Sequence, residues 1–455
     1  MKIEFIAPIT IMPKFVTANL SNNAEPCILR YTASDNEMLN IKAECFDAEI
    51  VLHTYNNGEG QVIFNKQIRK IEIAFECCYS LKSITIPNGV TKIGDGAFYR
   101  CDSLTSVIIP NSVTEIGDKA FSGCSSLSSI TIPDSVTKIG GGAFFRCSSL
   151  RAFNGKFISA DNRCLIIDGV INSFAPAGLT EYAIPNSVTE IGRNAFYRCS
   201  SLTRVTIGNS VTKIGDCAFY GCNSLTSVII PDSVTEIGWG AFLGCYSLTS
   251  VIIPDSVTKI LNYAFEGCTK LTEITIPGSV TYIGREAFGG CSSLASLVIP
   301  SSVTKIWVSA FEGCSSLANI TIPNSVTEIR DNAFSGCSSL TSVTIPNSVT
   351  EIGRAAFRDC SSLRSVTIPD SVTKIGDRAF YGCSSLTSVA ISNCVTKIGD
   401  CAFYGCNSLQ TIICKPTTPP TLGFWAFNGI SSDATIIIPE GCEEAYMNSE
   451  WRKVL

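Results

Sequence analysis

Residues 337–359 read C-S-S-L-T-S-V-T-I-P-N-S-V-T-E-I-G-R-A-A-F-R-D, and Cys360 opens the same phrase again. The period is 23, because cysteines stand at 78, 101, 124 and 147, then at 199, 222, 245, 268, 291, 314, 337, 360, 383 and 406, every step being 23 except one of 52. That long step is two units plus six residues. In its second part Pro176 takes the cysteine place, with Leu179, Tyr182, Ile184 and Pro185 at the usual offsets; its first part, residues 147–175, is an irregular unit. A fixed period of this length is the mark of a repeat architecture.

Counted from the cysteine as zero, apolar residues fall at offsets 3, 6, 8, 12, 15, 19 and 20. Leu340, Val343 and Ile345 end in the two-residue alternation of a β-strand that Pro346 stops. Val349 and Ile352 make a group too short for a helix and predict a second short strand or extended turn, and Ala356-Phe357 predicts a single helical or 3-10 turn closing the coil. One unit cannot cover its own Leu, Val, Ile and Phe, so neighbours must stack, with equivalent residues about 4.8 Å apart in parallel ladders. The expected fold is an α/β solenoid, mostly β, curved and right-handed, with parallel strands, short helical or 3-10 turns and terminal caps. Phe75, Phe98, Phe121, Phe144, Phe196 and the phenylalanines that follow to Phe427 form the expected core column, each contributing about 1.5–3 kcal/mol by burial.

The pattern L-x-x-V/I-x-I-P-x-x-V-x-x-I-x-x-x-A-F-x-x-C, running from about residue 68 to 413, resembles the BspA-like leucine-rich repeats of bacterial and protist surface proteins. The segment A-T-I-I-I-P-E-G-C-E-E-A-Y at 434–446 is similar to that family's closing segment, and Gly155 to Ala177 resembles an irregular unit found in it. The resemblance implies a leucine-rich-repeat solenoid at the cell surface or secreted, attaching to host proteins or other cells. It transfers no binding residue, because the array carries that role.

Three regions follow: a β-rich N-terminal cap over 1–66, the array over 67–413, and a strand-helix cap over 414–455. Ile50-Val51-Leu52 and Val62-Ile63-Phe64 flank Asn56-Asn57-Gly58, a hairpin signal. Lys415 to Pro420 interrupts the pattern, and a strand at Thr435 to Ile438 leads to a predicted helix from Glu443 to Lys453.

The composition narrows the chemistry. With 34 Lys+Arg against 39 Asp+Glu there is no basic footprint for nucleic acid. His53 is the only histidine, which excludes a His-rich zinc site and leaves a serine triad one candidate. No phosphate loop, Rossmann glycine fingerprint, G-x-S-x-G or H-E-x-x-H occurs, so neither an enzyme nor a cofactor is expected. No apolar run of 18 residues exists, so membrane insertion is not expected. Met1 to Phe15 has only Lys2 as a positive n-region and is broken by Glu4, Pro8 and Pro13, which argues against a signal peptide there.

Fourteen of the 23 cysteines share one column and are read as buried free thiols, with metal binding the weaker reading. Cys217 and Cys401 fall at a variable offset expected to be exposed, which favours a reducing compartment over an oxidising one. Offset 14 runs Lys92, Glu115, Lys138, then Glu190, Lys213, Glu236, Lys259, Tyr282, Lys305, Glu328, Glu351, Lys374 and Lys397, mostly alternating in sign. Offsets 5 and 7 carry outward Ser and Thr, with Ile108, Ile229, Ile252 or Val298 in some coils. Such a face suits a polymer, a protein or an ordered water lattice, or simply keeps the strands soluble.

Because the repeat supplies its own baseline, departures from it single out candidates. Offsets 16 to 18 are usually small or charged, yet five consecutive coils carry Trp239, Leu261 with Tyr263, Tyr282 at a neighbouring offset, Trp307 with Val308, and Arg330. Two readings stand: chance drift, or an interface, since clustered exposed aromatics anchor protein partners and flat rings suit carbohydrate. A second set at offset 21, Tyr99, Phe145, Tyr197, Tyr220, Tyr381 and Tyr404, lies towards both ends of the array. The function expected is a monomeric, non-enzymatic attachment protein whose partner is an extracellular-matrix or cell-surface protein or a glycan. The alternative is an intracellular interaction scaffold.

Overall fold

The computed structural model describes residues 26–454; the reading of Met1 to Phe15 therefore lies outside the described residues. The chain is a β-solenoid of about 16 turns with parallel strands and few helices. Each regular coil gives a three-residue strand such as Ser342–Thr344 and a two-residue strand such as Glu351–Ile352. Both strands pair in register with the next coil, Val343 opposite Val366 and Ile352 opposite Ile375.

The corners are the short turns expected, of the i to i+3 kind, and the array contains no helix among the described residues. The corner is a run of i to i+3 turns, Ala356 N–H to Gly353 O, Arg358 N–H to Ala355 O and Cys360 N–H to Phe357 O. Left-handed backbone at offsets 18 and 22 is the reason. Ser309 and Gly313 have φ of 57° and 71°, and the same signs recur coil after coil. A positive φ every four residues cannot propagate a right-handed helix.

The interior is a set of columns. Phe288, Phe311 and Phe334 stack at 5.6 and 5.4 Å with their ring planes nearly parallel. Apart from Cys78 and Cys199, the column thiols donate to the carbonyl of the phenylalanine one coil back, as Cys314 Sγ does to Phe288 O at 3.3 Å. All 23 cysteines are unpaired. Serine and threonine hydroxyls extend the ladders outward: Ser325 Oγ donates to Val303 O and Thr327 Oγ1 to Thr304 O. Asp377 Oδ1 accepts the Asp400 N–H. Much of the hydroxyl-rich composition therefore satisfies the carbonyls of the preceding coil. The charges at offset 14 pair between coils, Glu115 lying 3.4 Å from Lys92 and 2.9 Å from Lys138.

The irregular unit breaks the stack. Ala152–Gly155 pairs with Ser129–Ile132, but the next strand of that face, Glu181–Ala183, pairs only onward with Arg204–Thr206. An antiparallel hairpin, Cys164–Ile167 with Val170–Phe174, starts the second sheet afresh. The core divides here into two clusters, one ending at Phe153, Leu165 and Ala175, the other beginning at Cys164, Ile171 and Phe174. The phenylalanine column is correspondingly interrupted, Phe144 meeting Phe153 edge-on and Phe174 leading into Phe196.

Both ends are covered. At the start, β1 (Cys27–Ala33), β2 (Ile50–Asn56) and β3 (Glu59–Phe64) form an antiparallel sheet. Asn57 and Gly58, both at positive φ, make the two-residue turn. β1 then pairs antiparallel with Leu81–Thr85, joining cap to array. At the far end the helix expected over Glu443 to Lys453 is split into an α-helix at Glu443–Met447 and a 3-10 turn at Glu450–Lys453. Ser449 breaks it, accepting from Trp451 N–H while donating to Tyr446 O. The break turns two rings into the open end of the stack. Tyr446 Oη donates to Pro416 O and Trp451 Nε1 to Pro420 O, both at 2.8 Å, and Trp451 meets Phe427 at 5.4 Å.

Candidate functional site

Offset 16 is glycine in most coils because the preceding coil lies directly beneath it. A Cβ added to Gly353 would sit 2.6 Å from the Arg330 carbonyl carbon, and one at Gly238 would sit 2.6 Å from backbone atoms of Asp216 and Gly215. The glycine N–H donates to the isoleucine carbonyl one coil back, at 2.8 Å for Gly238 to Ile214 and 2.9 Å for Gly284 to Ile260. Three of the patch residues, Leu261, Trp307 and Arg330, stand at that position. Arg330 keeps the bond at 3.1 Å to Ile306, whereas among the described residues Leu261 and Trp307 have no such bond to Ile237 and Ile283. At Leu261 and Trp307, where most coils have glycine, this rung of the ladder is open.

The structure gathers these side chains into two groups. Trp239, 41% exposed, meets Tyr263 edge-on at 5.1 Å, and the Arg285 guanidinium lies 6.0 Å from the Tyr263 ring. Tyr282 meets Trp307 at 5.5 Å, and Arg330 lies 5.8 Å from the Trp307 ring. Their backbones are held by the coil turns, Trp239 N–H on Asp216 Oδ1 and Tyr263 N–H on Arg285 O. Leu261 and Val308 are half-buried beside them. Charge is partly spent within the patch, since Arg330 pairs with Glu328 and Arg285 with Glu286. Burial and the neighbouring Glu286 carboxylate raise the pKa of Glu266 nearby. Rigid aromatic edges flanked by arginines can offer stacking and hydrogen bonding to a partner; they hold no nucleophile and no acid-base pair.

Elsewhere the chemistry is structural. His53 belongs to the cap, where its Nε2 meets Tyr31 Oη at 2.8 Å and burial lowers its pKa. Among the described residues no group of three His, Cys, Asp or Glu side chains is arranged to hold a metal. Cys217, expected at the surface, is buried because the next coil covers it, its Sγ lying beneath Gly240. Among the described residues no helix is long and apolar enough to cross a membrane.

Residues 66–159, 171–295, 236–364, 281–396 and 350–449 match the BspA type leucine-rich-repeat region, together well over half of the chain. The chain belongs to the BspA-type leucine-rich-repeat family. It is similar to the crystal structure of a leucine-rich repeat protein from Bacteroides ovatus, at 26% identity and a TM-score of 0.53, covering 86% of this chain and 99% of that one. It is also similar to a leucine rich cell surface protein from Faecalibacterium prausnitzii, at 31% identity and a TM-score of 0.42, covering 84% of this chain and 96% of that one. No curated protein sequence matches it.

Within this BspA-type array the sequence reading overlooked two larger exposed rings. Phe424 and Trp425 are 82% and 68% exposed on the last coil. Phe424 N–H sits on Asp400 Oδ1 as Trp239 N–H sits on Asp216 Oδ1, so the two rings occupy the same corner of the coil as the patch. The Pro-rich stretch Lys415 to Pro420 shifts the spacing by one residue and hides that equivalence. The outward isoleucines were legible: Ile229 and Ile252 pair on adjacent strands and are both exposed.

Proposed function

We propose that this BspA-type chain is a non-enzymatic attachment protein that binds a host or cell-surface protein, or a glycan, through the corner patch of Trp239, Leu261, Tyr263, Tyr282, Trp307, Val308 and Arg330. The observation that carries the reading is the pair of wedged residues, Leu261 and Trp307, for which the coil gives up a ladder hydrogen bond that glycine keeps. Retaining bulky side chains at a position where they weaken the stack is the pattern of a site held for binding rather than stability. The described relative from F. prausnitzii is a cell surface protein, which supports placing attachment outside the cell.

A second reading, an interaction scaffold in a reducing compartment, draws on the 23 unpaired cysteines, of which Cys394 is exposed. Purified protein is tested against immobilised matrix proteins and glycans, with cytosolic extract of the producing cell in parallel. Saturable binding to a matrix or glycan component supports attachment. Capture restricted to one cytosolic partner supports the scaffold and overturns the first reading.

A further inference from the structure

Offset 22, the residue before each column cysteine, is a left-handed position filled by glycine at 123, 221, 244, 267, 290, 313, 336, 382 and 405. Arginine takes it three times, at Arg100, Arg146 and Arg198, with φ of 58°, 57° and 56°. That conformation disfavours any residue with a Cβ. The three are also gathered. On this corner the irregular unit contributes no ring, so Phe145 stacks directly on Tyr197 at 5.2 Å and Tyr197 on Tyr220 at 4.9 Å. Arg146 and Arg198 therefore stand on adjacent coils, about 5 Å apart along the stack, with Arg100 two coils further back.

All three line one open groove of about 590 Å³, with Tyr99, Tyr220 and Tyr246 along it and Asp102 as its one acidic residue. None of the three guanidiniums has an ion-pair partner among the described residues, whereas Arg285, Arg330 and Arg358 all do. Arg100 and Arg198 instead lie over the rings of Tyr79 and Tyr197. Two groove hydroxyls, unlike that of Ser125, which donates to Asp102 O, are free as well. In later coils Ser315, Ser338 and Ser361 each donate to a serine carbonyl one coil back, but at the break Ser148 and Ser200 are exposed and make no such bond among the described residues. In the later coils the same corner holds mainly glycine and serine.

We infer that this groove binds an extended acidic polysaccharide, its carboxylates or sulfates on Arg100, Arg146 and Arg198 and its hydroxyls on Ser148, Ser200 and the tyrosine edges. Guanidinium forks match those anions in geometry. An acidic peptide fits less well, because the backbone on either side of the break is already bonded along the ladder, Arg100 N–H to Ser122 O and Arg198 N–H to Tyr220 O, and of the three arginine amides only that of Arg146 is unbonded among the described residues. This site shares no lining residue with the aromatic patch, and its test is independent of that one.

The test uses the full chain with heparin, polygalacturonate, neutral dextran, polyglutamate and polyuridylate, measured by calorimetry at low and physiological salt. The decisive variant is Arg100→Gly/Arg146→Gly/Arg198→Gly, which installs the residue most coils already carry and so keeps the fold. We expect binding of heparin or polygalacturonate, none of dextran, at least 10-fold weakening for Arg146→Gly alone and at least 100-fold for the triple variant, with unchanged thermal stability. Equal binding by the triple variant, no binding of either acidic polysaccharide, or tighter binding of polyglutamate or polyuridylate overturns the inference.

Discussion

Phe145 and Tyr197 are 52 residues apart in the chain, yet their rings stack at 5.2 Å and 12°, the geometry of neighbours one coil apart. The irregular unit between them passes through the core and the strand faces but adds nothing to this corner. Two stretches of solenoid thus meet through side chains, and among the described residues no ladder of backbone hydrogen bonds joins Gly142–Arg146 to Asn194–Arg198.

That junction should be the weak point of the array. Solenoid stability is a sum of units and nearest-neighbour interfaces, and this interface lacks part of its ladder. In hydrogen exchange, amides of Gly142 to Arg146 are expected to exchange at least 10-fold faster than their counterparts Ser309 to Gly313 in the unbroken stack. Equal protection would show that the break costs nothing.

Core rings in the unbroken stack should behave oppositely. Phe311 is fully buried between Phe288 and Phe334. Phe311→Ala should lower unfolding free energy by about 3–5 kcal/mol in urea titrations, and Phe424→Ala, on an 82% exposed ring, by under about 0.5 kcal/mol.

The thiol column predicts alkaline sensitivity. Burial pushes Cys222, Cys314 and Cys406 up to about 12. A thiol with a raised folded pKa keeps its proton after the unfolded chain has lost it. Stability is therefore fully present below about pH 8.5 and falls as pH rises towards the folded values, each such thiol removing about 1.4 kcal/mol per pH unit. Scanning calorimetry should show Tm steady from pH 7 to 8 and dropping steeply by pH 10.5, with Cys314→Ala flattening the slope. A flat profile would mean the column is not buried.

The wedge at offset 16 gives a local signature. Leu261→Gly should let residue 261 regain the bond to Ile237 O that Gly238 and Gly284 make to their own isoleucines. Exchange protection at that amide should rise above wild type. No gain would indicate that the coils are spaced apart there for another cause.

The period of 23 displayed the columns directly, since Leu340, Val343, Ile352 and Phe357 recur at fixed offsets and stacking is the one way to bury them. The aromatic departures were visible for the same reason. What Leu261 and Trp307 cost was not, because it depends on how closely one coil lies over the next. Arg146 and Arg198 looked distant because the irregular unit separates them in sequence while leaving their corner of the stack empty. The corner turns were legible as short closing turns, but the left-handed backbone at Tyr263 or Ser309 was not, because no glycine marks those positions.

The most direct test of the central claim compares wild type with Trp239→Ala/Trp307→Ala in surface plasmon resonance on the matrix protein or glycan that wild type binds. Losing two anchor rings should weaken binding by at least 10-fold. Tm should stay within a few degrees, because Trp239 is largely exposed and Trp307 half-buried. Undiminished affinity in the double variant, with its fold intact, would contradict the assignment of attachment to this patch.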